Sequence, residues 1–173
     1  MIVRQASFRQ ARMDDAPVIC DIANAAIRDT LTTFTTTEHV EAEIAADIAL
    51  RWAAYQVVLL DDNVVGFATY GPFRDGPGYA HTKELSIHLA VVARRQGLGR
   101  ALMTRIEEVA AHAGVRVLVA GISGANPEAQ VFHAACGFEE VGRMAQVGFK
   151  SGQWLDLVLM QKALLVADPE TTA

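Results

Sequence analysis

The sequence predicts a mixed α/β fold in which helices cover both faces of one central sheet. Segments with helical spacing of apolar residues alternate with β-rich runs in the order β-α-α-β-β-β-α-β-α-β-β, which is typical of layered α/β domains. The run VRVLVAGI at 115–122 is mainly apolar and has the length of a strand, which indicates a buried strand. Residues 99–113 place an apolar stripe along one side and predict the clearest amphipathic helix of the chain.

The first half of the chain combines an edge strand, two helices and a hairpin. Threonine is a poor helix former, so the threonine-rich segment 30–37 is expected to end the first helix. Asp61-Asp62-Asn63 is a turn signal between two β-rich runs and predicts the hairpin. The predicted elements are an edge strand at 2–9, a turn into the first helix at 12–15, a second helix at about 38–52, and hairpin strands at 56–60 and 64–70.

The second half continues the alternation of strands and helices. Asn126-Pro127-Glu128 predicts a helix start with Asn as the cap, and Cys136-Gly137 predicts the end of that helix. Residues 1–173 are interpreted as a single domain with an ordered core at about 2–165. The other predicted elements are a loop at 71–78, strands at 84–92, 138–148 and 154–161, and a frayed tail at 166–173.

The composition argues against nucleic-acid and membrane partners. The formal net charge of −5 is unfavourable for general nucleic-acid binding, which needs a basic face. No segment approaches the roughly 20 apolar residues of a spanning helix. The N-terminal segment MIVRQASFRQARMDD also lacks the apolar run of a signal peptide. Cys20 and Cys136 lie far apart without C-x-x-C spacing, so we expect two free thiols, no metal site and a cytoplasmic protein.

A glycine-containing loop between a strand and a helix is the sharpest local signal. In Arg94-Arg95-Gln96-Gly97-Leu98-Gly99-Arg100, glycines allow close approach, the helix N-terminus offers free N–H groups, and arginines add positive charge. These features together predict a pyrophosphate site. The segment is not a G-x-x-x-x-G-K-[ST] loop, and Leu102 replaces the third glycine of a dinucleotide fingerprint. The spacing alone leaves open a glycine turn flanked by solvated arginines.

The loop resembles the coenzyme A pyrophosphate signature R-x-x-G-x-G of the GNAT acetyltransferase superfamily, and the resemblance covers residues 3–164. Within that superfamily the chain is similar to the phosphinothricin and methionine sulfoximine N-acetyltransferases. The resemblance implies a GNAT-type mixed sheet flanked by helices on both faces. The segments that carry it are GPFR (71–74), TKELSIHL (82–89), RRQGLGRALM (94–103), VAGISGANPEAQVFHAACGFEEVG (119–142) and VGFKSGQWLDLVLMQKAL (147–164).

The resemblance implies acetyl-coenzyme A as the cosubstrate. Backbone groups of one strand are expected to pair with the pantetheine arm and the thioester carbonyl, as an added strand would. The glycine loop is expected to wrap the pyrophosphate, and the family has an asparagine that touches coenzyme A. The implied cofactor-binding residues are Ile87, His88, Leu89, Arg95, Gln96, Gly97, Leu98, Gly99, Arg100, Asn126 and Ala135.

The resemblance also implies a small amine acceptor with a carboxylate. Arg74, at the end of GPFR, matches a substrate-binding arginine that would grip this carboxylate through paired hydrogen bonds. Phe34 is expected to form an apolar wall of the acceptor pocket, with core packing as the equal alternative. The implied substrate-binding residues are Phe34, Arg74, Asp75, Gly76, Glu84, Leu85 and Ser86.

Two residues are candidates for proton transfer. Glu84 matches the family's catalytic glutamate and is the first choice for a general base that makes the amine neutral. His133, which matches a family histidine, is the second, and a reference pKa of about 6.5 suits that role. The alternatives are a solvated strand-end charge for Glu84 and a structural side chain for His133. Residues 127–142 contain no tyrosine to protonate the departing thiolate, as many GNAT enzymes have.

Departures from the family pattern affect two positions on the same strand. His88 stands where the family commonly has tyrosine, and Lys83 where it often has an apolar residue. The first departure leaves the side-chain role at 88 open, and the second leaves open the acceptor preference. Trp154 and Asp156 match the family motif and are expected to be structural or to line a dimer interface.

Three functions are compatible with these motifs. The leading prediction is an N-acetyltransferase acting on a free amino-acid analogue by direct attack, without an acyl-enzyme. A protein or peptide N-acetyltransferase and a coenzyme A-binding sensor without turnover are the alternatives. Relatives of this type commonly form homodimers, and the apolar residues 147–165 are the expected contact surface.

Overall fold

The computed structural model describes residues 5–165 and contains one seven-stranded sheet with helices on both faces. The observed element order agrees with the predicted order. The elements are β1 (Ala6–Gln10), α1 (Ala16–Asp29), α2 (Glu41–Arg51), β2 (Tyr55–Leu60), β3 (Asn63–Pro72), β4 (Thr82–Leu89), α3 (Leu98–His112), β5 (Val117–Ser123), α4 (Pro127–Ala135), β6 (Glu139–Lys150) and β7 (Gln153–Ala163).

The sheet has the strand order β1-β2-β3-β4-β5-β7-β6. Every neighbouring pair is antiparallel except β4 and β5, which run parallel at the centre. β3 pairs with β4 along the strand from Gly66↔Leu89 to Pro72↔Lys83. The β4–β5 pairing instead stops at Glu84↔Val119, after which the two strands diverge. This fork in the middle of the sheet positions the functional site.

Two hydrophobic cores lie on opposite faces of the sheet. Along β2 the side chains alternate, so that Val58 packs with α3 on one face and Val57 packs with α1 and α2 on the other. The apolar stripe of α3, including Leu102 and Ile106, is fully buried in the first core. The predicted arrangement of helices on both faces is therefore confirmed.

Most predicted boundaries differ from the observed ones by only a few residues. The predicted strand at 84–92 starts earlier, at Thr82, and ends at Leu89 because residues 91–93 form a 3-10 turn. The predicted loop at 71–78 begins later, since β3 continues to Pro72. α2 begins at Glu41 rather than near 38, because the backbone of His39 is hydrogen-bonded to the side chain of Asn24.

Both signals at the ends of α4 are confirmed. The Asn126 side chain accepts a hydrogen bond from the Ala129 amide at 3.1 Å, and Gly137 adopts a φ of 90° just after the helix. The predicted tail at 166–173 and the first residues of the predicted strand at 2–9 lie outside the described residues. Among residues 5–165, no helix is long and apolar enough to cross a lipid bilayer.

Candidate active site

The fork between β4 and β5 opens a cleft of about 1350 Å³. Its walls come from α1, residues 30–35, the second half of β4, the end of β5 and α4. β3 satisfies one edge of β4, so the backbone groups on the other edge of residues 85–89 face the cleft, where the Leu89 carbonyl already accepts a hydrogen bond from Arg94 Nε at 3.2 Å. Such a free edge can pair with the amides of an extended ligand in the manner of an added strand.

The glycine loop, which lines the cleft, has the geometry of an anion site. Gly97 caps α3 with a φ of 78°, and Arg95 adopts a φ of 58°, so the chain turns sharply and presents the first N–H groups of α3. These groups, together with the positive end of the α3 dipole, favour a bound diphosphate. Arg94, Arg95 and Arg100 line the same end of the cleft. The loop therefore fits the pyrophosphate of coenzyme A.

Close packing of the start of α3 against β4 and α4 fixes the position of this loop relative to the sheet. A β-carbon on Gly99 would lie 3.3 Å from both Leu89 Cδ1 and Phe132 Cε2, so glycine lets α3 approach β4 and α4 closely. Arg100 donates to the Ala135 carbonyl at 3.0 Å and ties α3 to the end of α4. The exposed Arg95–Glu128 pair, at 3.1 Å, contributes little stability because solvent screens it.

The structure brings most of the predicted cofactor-binding residues to the cleft wall and leaves three outside it. Gln96 donates to the Val92 carbonyl at 2.6 Å, and Leu98 is buried in the core beneath the loop. Ala135 is exposed at the end of α4. The predicted cofactor-binding residues on the wall are Ile87, His88, Leu89, Arg95, Gly97, Gly99, Arg100 and Asn126.

Glu84 lies at the fork itself and its side chain is exposed in the cleft. Its Oε1 lies 3.4 Å from the position that a β-carbon on Gly121 of β5 would take. The carboxylate therefore lies over β5, close to the point where the two strands separate. A proton acceptor at this point is open to solvent and to any ligand that occupies the fork.

His133 is buried in α4, and its ring lines the same cleft. Its Nδ1 lies 2.8 Å from the Ala129 carbonyl, which can only accept, so Nδ1 carries the proton. The lone pair of the neutral ring is then on Nε2. Burial lowers the pKa of His133, while the hydrogen bond to Ala129 opposes that shift. The ring is edge-on to Phe132 and Phe138, which fix its orientation.

His88 contributes a neutral ring to the wall. It stacks on Phe67 with ring centroids 5.1 Å apart, on the face of the sheet covered by α1 and α2. Burial, with smaller effects of His39 and Arg94, lowers the pKa of His88 to about 4. Strand alternation places Glu84 and Ser86 on the same face of β4 as His88.

The predicted substrate-binding residues separate into two groups. Phe34, Glu84, Leu85 and Ser86 line the cleft, whereas the described positions of Arg74, Asp75 and Gly76 lie in the exposed loop between β3 and β4, outside the cleft wall. The Arg74 guanidinium lies 5.2 Å from the centroid of the neighbouring Phe73 ring.

Sequence reasoning missed several residues of the cleft. Gly121 was not singled out because it lies within an apolar strand run. A glycine in a strand interior nevertheless often marks a site where a ligand or another backbone approaches closely. Asp21, Ile22 and Ala25 of α1 also line the cleft, and they look like ordinary positions of an amphipathic helix. Among residues 5–165, no three His, Cys, Asp or Glu side chains are grouped to hold a metal ion.

Comparisons with known proteins agree with this geometry. Residues 9–159 match the family model described as acetyltransferase (GNAT) domain. The chain is 36% identical to the L-amino acid N-acyltransferase MnaT of Escherichia coli, covering 91% of this chain and 94% of that protein. It is 33% identical to an L-methionine sulfoximine/L-methionine sulfone acetyltransferase of Salmonella typhimurium, with 91% and 94% covered. Against a phosphinothricin N-acetyltransferase of Alcaligenes faecalis the identity is also 33%, with 94% and 84% covered.

Solved structures show the same fold. A phosphinothricin acetyltransferase of Sinorhizobium meliloti in complex with acetyl-coenzyme A superimposes with a TM-score of 0.86 at 34% identity, covering 92% of this chain and 88% of that one. A structure described as a ribosomal-protein-alanine N-acetyltransferase from Brucella melitensis gives 0.87 at 38% identity, with 91% and 99% covered.

Proposed function

The chain belongs to the GNAT acetyltransferase family, and we propose that it acetylates the α-amine of a small amino-acid analogue of the phosphinothricin, methionine sulfoximine or methionine sulfone type. The sequence predictions of the family and of an acetyl-coenzyme A-dependent N-acetyltransferase are confirmed. One observation carries the proposal for this chain: a single cleft runs from the anion loop to Glu84 at the fork. A donor and an acceptor bound in this cleft would meet end to end.

We assign the donor end of the cleft to coenzyme A. The loop at Gly97 would hold the pyrophosphate, and the free edge of β4 at residues 85–89 would pair with the pantetheine amides. Acetyl-coenzyme A supplies the activated acetyl group when bound. Asn126 uses its side-chain oxygen to cap α4, so its amide nitrogen is the group left for a ligand in the cleft.

Glu84 is proposed as the general base. An ammonium ion has no lone pair, so the acceptor amine must lose a proton before it attacks, and a carboxylate at the fork can take it directly or through water. The neutral His133 ring offers Nε2 as a second proton acceptor farther along the wall. Direct attack needs no nucleophilic side chain. Burial raises the pKa of the Cys136 thiol, which disfavours the reactive thiolate.

Arg74 remains the proposed partner of the acceptor carboxylate. Its guanidinium is exposed and contacts the adjacent Phe73 ring, so the charge is available to a ligand rather than buried in an ion pair. The proposal requires the exposed β3–β4 loop to deliver this side chain to the acceptor end. Asp75 and Gly76 of the same loop would then also contact the acceptor.

A peptide N-terminus is the second candidate acceptor. The Brucella melitensis structure, described as a ribosomal-protein-alanine N-acetyltransferase, favours it. A sensor without turnover is less well supported, because both proton acceptors, Glu84 and His133, line the cleft.

We also propose a cytoplasmic homodimer without nucleic-acid or membrane partners. β6 is an edge strand, and its hairpin with β7 exposes a group of large apolar side chains. An exposed apolar edge is a surface that proteins usually cover. The side chains are Val141, Met144, Val147, Phe149 and Trp154, each 46–63% exposed.

A thiol-release assay with acetyl-coenzyme A tests the acceptor class. The panel contains phosphinothricin, methionine sulfoximine, methionine sulfone, the standard amino acids, polyamines and N-terminal peptides. Preferred turnover of the first three supports the proposal. Preferred turnover of a peptide would keep the family and the cosubstrate but replace the acceptor. Coenzyme A binding without turnover of any amine would favour the sensor.

A further inference from the structure

One wall of the cleft is irregular and yet firmly attached to the rest of the protein. Residues 30–40, which we name the threonine segment, connect α1 to α2, and Thr33 and Phe34 of this segment line the cleft. Its first end is fixed by Thr30, whose hydroxyl donates to the Ala26 carbonyl at 2.5 Å. Its other end is fixed by Asn24, which both donates to and accepts from the backbone of His39 at 2.9 Å.

The middle of the threonine segment rests on β6, which is remote in sequence. A β-carbon on Gly148 would lie 2.5 Å from Phe34 Cδ2 and 2.7 Å from Cε2, so the Phe34 ring lies directly against the Gly148 backbone. Any larger residue at 148 must displace this ring. Two residues farther on, Lys150 is only 5% exposed and its Nζ donates to the Thr33 carbonyl at 2.9 Å. An ammonium group is costly to bury without such a partner.

A bulge in β6 precedes these contacts. The register with β7 shifts between Met144 and Gly148, and Gln146 within the bulge has a φ of 55°. The Asp156 carboxylate accepts a hydrogen bond from the backbone N–H of Gln146 at 2.9 Å and so fixes the bulge. Asp156 thereby has the structural role that was one of its two predicted roles. The bulge therefore determines which side chains of residues 148–150, at the end of β6, face the threonine segment.

We propose that Gly148 and Lys150 are positioning residues that set the acceptor preference, because they hold Phe34 and Thr33 at the acceptor end of the cleft. The inference rests on the proposed function for the identity of the acceptor. It adds a pair of residues from the C-terminal hairpin to a site otherwise built from α1, β4, β5 and α4. Both residues act through the threonine segment and neither lines the cleft.

The first test compares two glycines of the same strand. Gly148→Ala should raise the acceptor KM about tenfold, since displacing one apolar wall changes discrimination by roughly that factor, while the acetyl-coenzyme A KM stays within about twofold. Gly142→Ala is the matched control, because a β-carbon there meets nothing within 4 Å. A Gly148→Ala variant with an unchanged acceptor KM would overturn the inference.

A double-mutant cycle separates positioning from loss of stability. Phe34→Leu leaves space beside residue 148, so Gly148→Ala in that background should change the acceptor KM by less than about twofold. Equal effects in both backgrounds would contradict a Gly148–Phe34 contact. Lys150→Met, which keeps the length of the side chain but removes the donor, should reproduce the rise in acceptor KM with acetyl-coenzyme A unaffected.

Hydrogen–deuterium exchange tests, without reference to any acceptor, whether Gly148 and Lys150 hold the threonine segment in place; we call this pair of contacts the clamp. Gly148→Ala and Lys150→Met should accelerate exchange in residues 30–40, whereas Gly142→Ala should not. If the wild type acetylates a different amine, the proposed function fails, and the KM comparison is made with that amine. If it acetylates none, unchanged exchange in residues 30–40 overturns the clamp and faster exchange supports it.

Discussion

The donor and acceptor ends of the cleft are built in different ways. The donor end consists of the free edge of β4 and the loop that leads into α3, all within residues 85–100. The proposed acceptor end combines Phe34, Glu84 and Gly121, which line the cleft, with support from Gly148, and these four positions are spread over most of the chain. In this proposal, backbone amides and a helix N-terminus from one segment would recognise the common cosubstrate, whereas the acceptor wall depends on tertiary packing between distant segments. Substitutions should therefore affect the two KM values separately.

The largest expected effect concerns the fork, which both ends share. Glu84→Gln removes the proposed base but keeps the shape of the side chain, so kcat should fall by about 10²–10⁴-fold. Acetyl-coenzyme A binding, measured by calorimetry, should be unchanged. Glu139→Gln, at an exposed position at the start of β6, is the control. A kcat within about twofold of the wild type would remove Glu84 as the base.

Arg74→Ala should act on the acceptor alone. Losing a charge-assisted contact with the carboxylate should raise the acceptor KM about tenfold or more, with acetyl-coenzyme A little affected. Steady-state kinetics with methionine sulfone measures both constants. Equal rises in the two KM values would contradict the carboxylate role, and no rise would show that the exposed loop stays out of the site.

Gly99→Ala should act on the donor alone. Its β-carbon would lie 3.3 Å from Leu89 and Phe132, which forces α3 slightly away from the sheet and displaces the anion loop. Overpacking of this size should raise the acetyl-coenzyme A KM about three- to tenfold and leave the acceptor KM unchanged. Gly78→Ala, where a β-carbon meets nothing within 4 Å, is the control. A rise in the acceptor KM instead would break the separation of the two ends.

The smallest expected effect is on stability at acid pH. His88 has a pKa of about 4 in the folded protein and an ordinary value near 6.5 when unfolded. Below pH 6.5 the His88 ring therefore binds a proton in the unfolded chain but stays neutral in the folded chain. The free energy of unfolding consequently decreases as the pH falls towards 4. His88→Phe keeps a ring against Phe67 but not the titration. Its unfolding temperature should fall by about 5–10 °C less than that of the wild type between pH 7 and pH 4.5.

The control for this prediction is the same pair of proteins above pH 7. There the His88 contribution is constant, so the difference between their unfolding temperatures should not vary with pH. Identical acid losses in both proteins would show that His88 titrates normally in the folded state.

The elements that form the proposed donor end were predictable because their signals are local. Two sequence motifs, the glycines 97 and 99 with their flanking arginines and the Asn126 cap, predicted helix starts. The structure has α3 and α4 starting at these positions. The apolar run of β5 and the apolar stripe of α3 can likewise be recognised within single segments, the first by its length and the second by its helical period.

The acceptor end was less predictable because its contacts join distant segments. Nothing in the spacing of Gly148 or Lys150 indicates that they meet residues 33 and 34, which a bulge and a strand register decide. The matching motif placed Arg74 among the substrate residues, yet its loop lies outside the described cleft wall. The start of α2 also depends on tertiary hydrogen bonds, those between Asn24 and His39.

The most direct test of the central claim compares methionine sulfone with its carboxyl amide as acceptors for the wild-type protein. The two compounds share the side chain, and the amide replaces the negative carboxylate by a neutral group. The amide also has a less basic α-amine, so more of it is in the reactive neutral form, which works against the predicted loss. A site for free amino-acid analogues predicts that kcat/KM for the amide is lower by about tenfold or more, as expected for the loss of one charge-assisted contact. Equal or higher kcat/KM for the amide, or for an N-terminal peptide, would contradict the account.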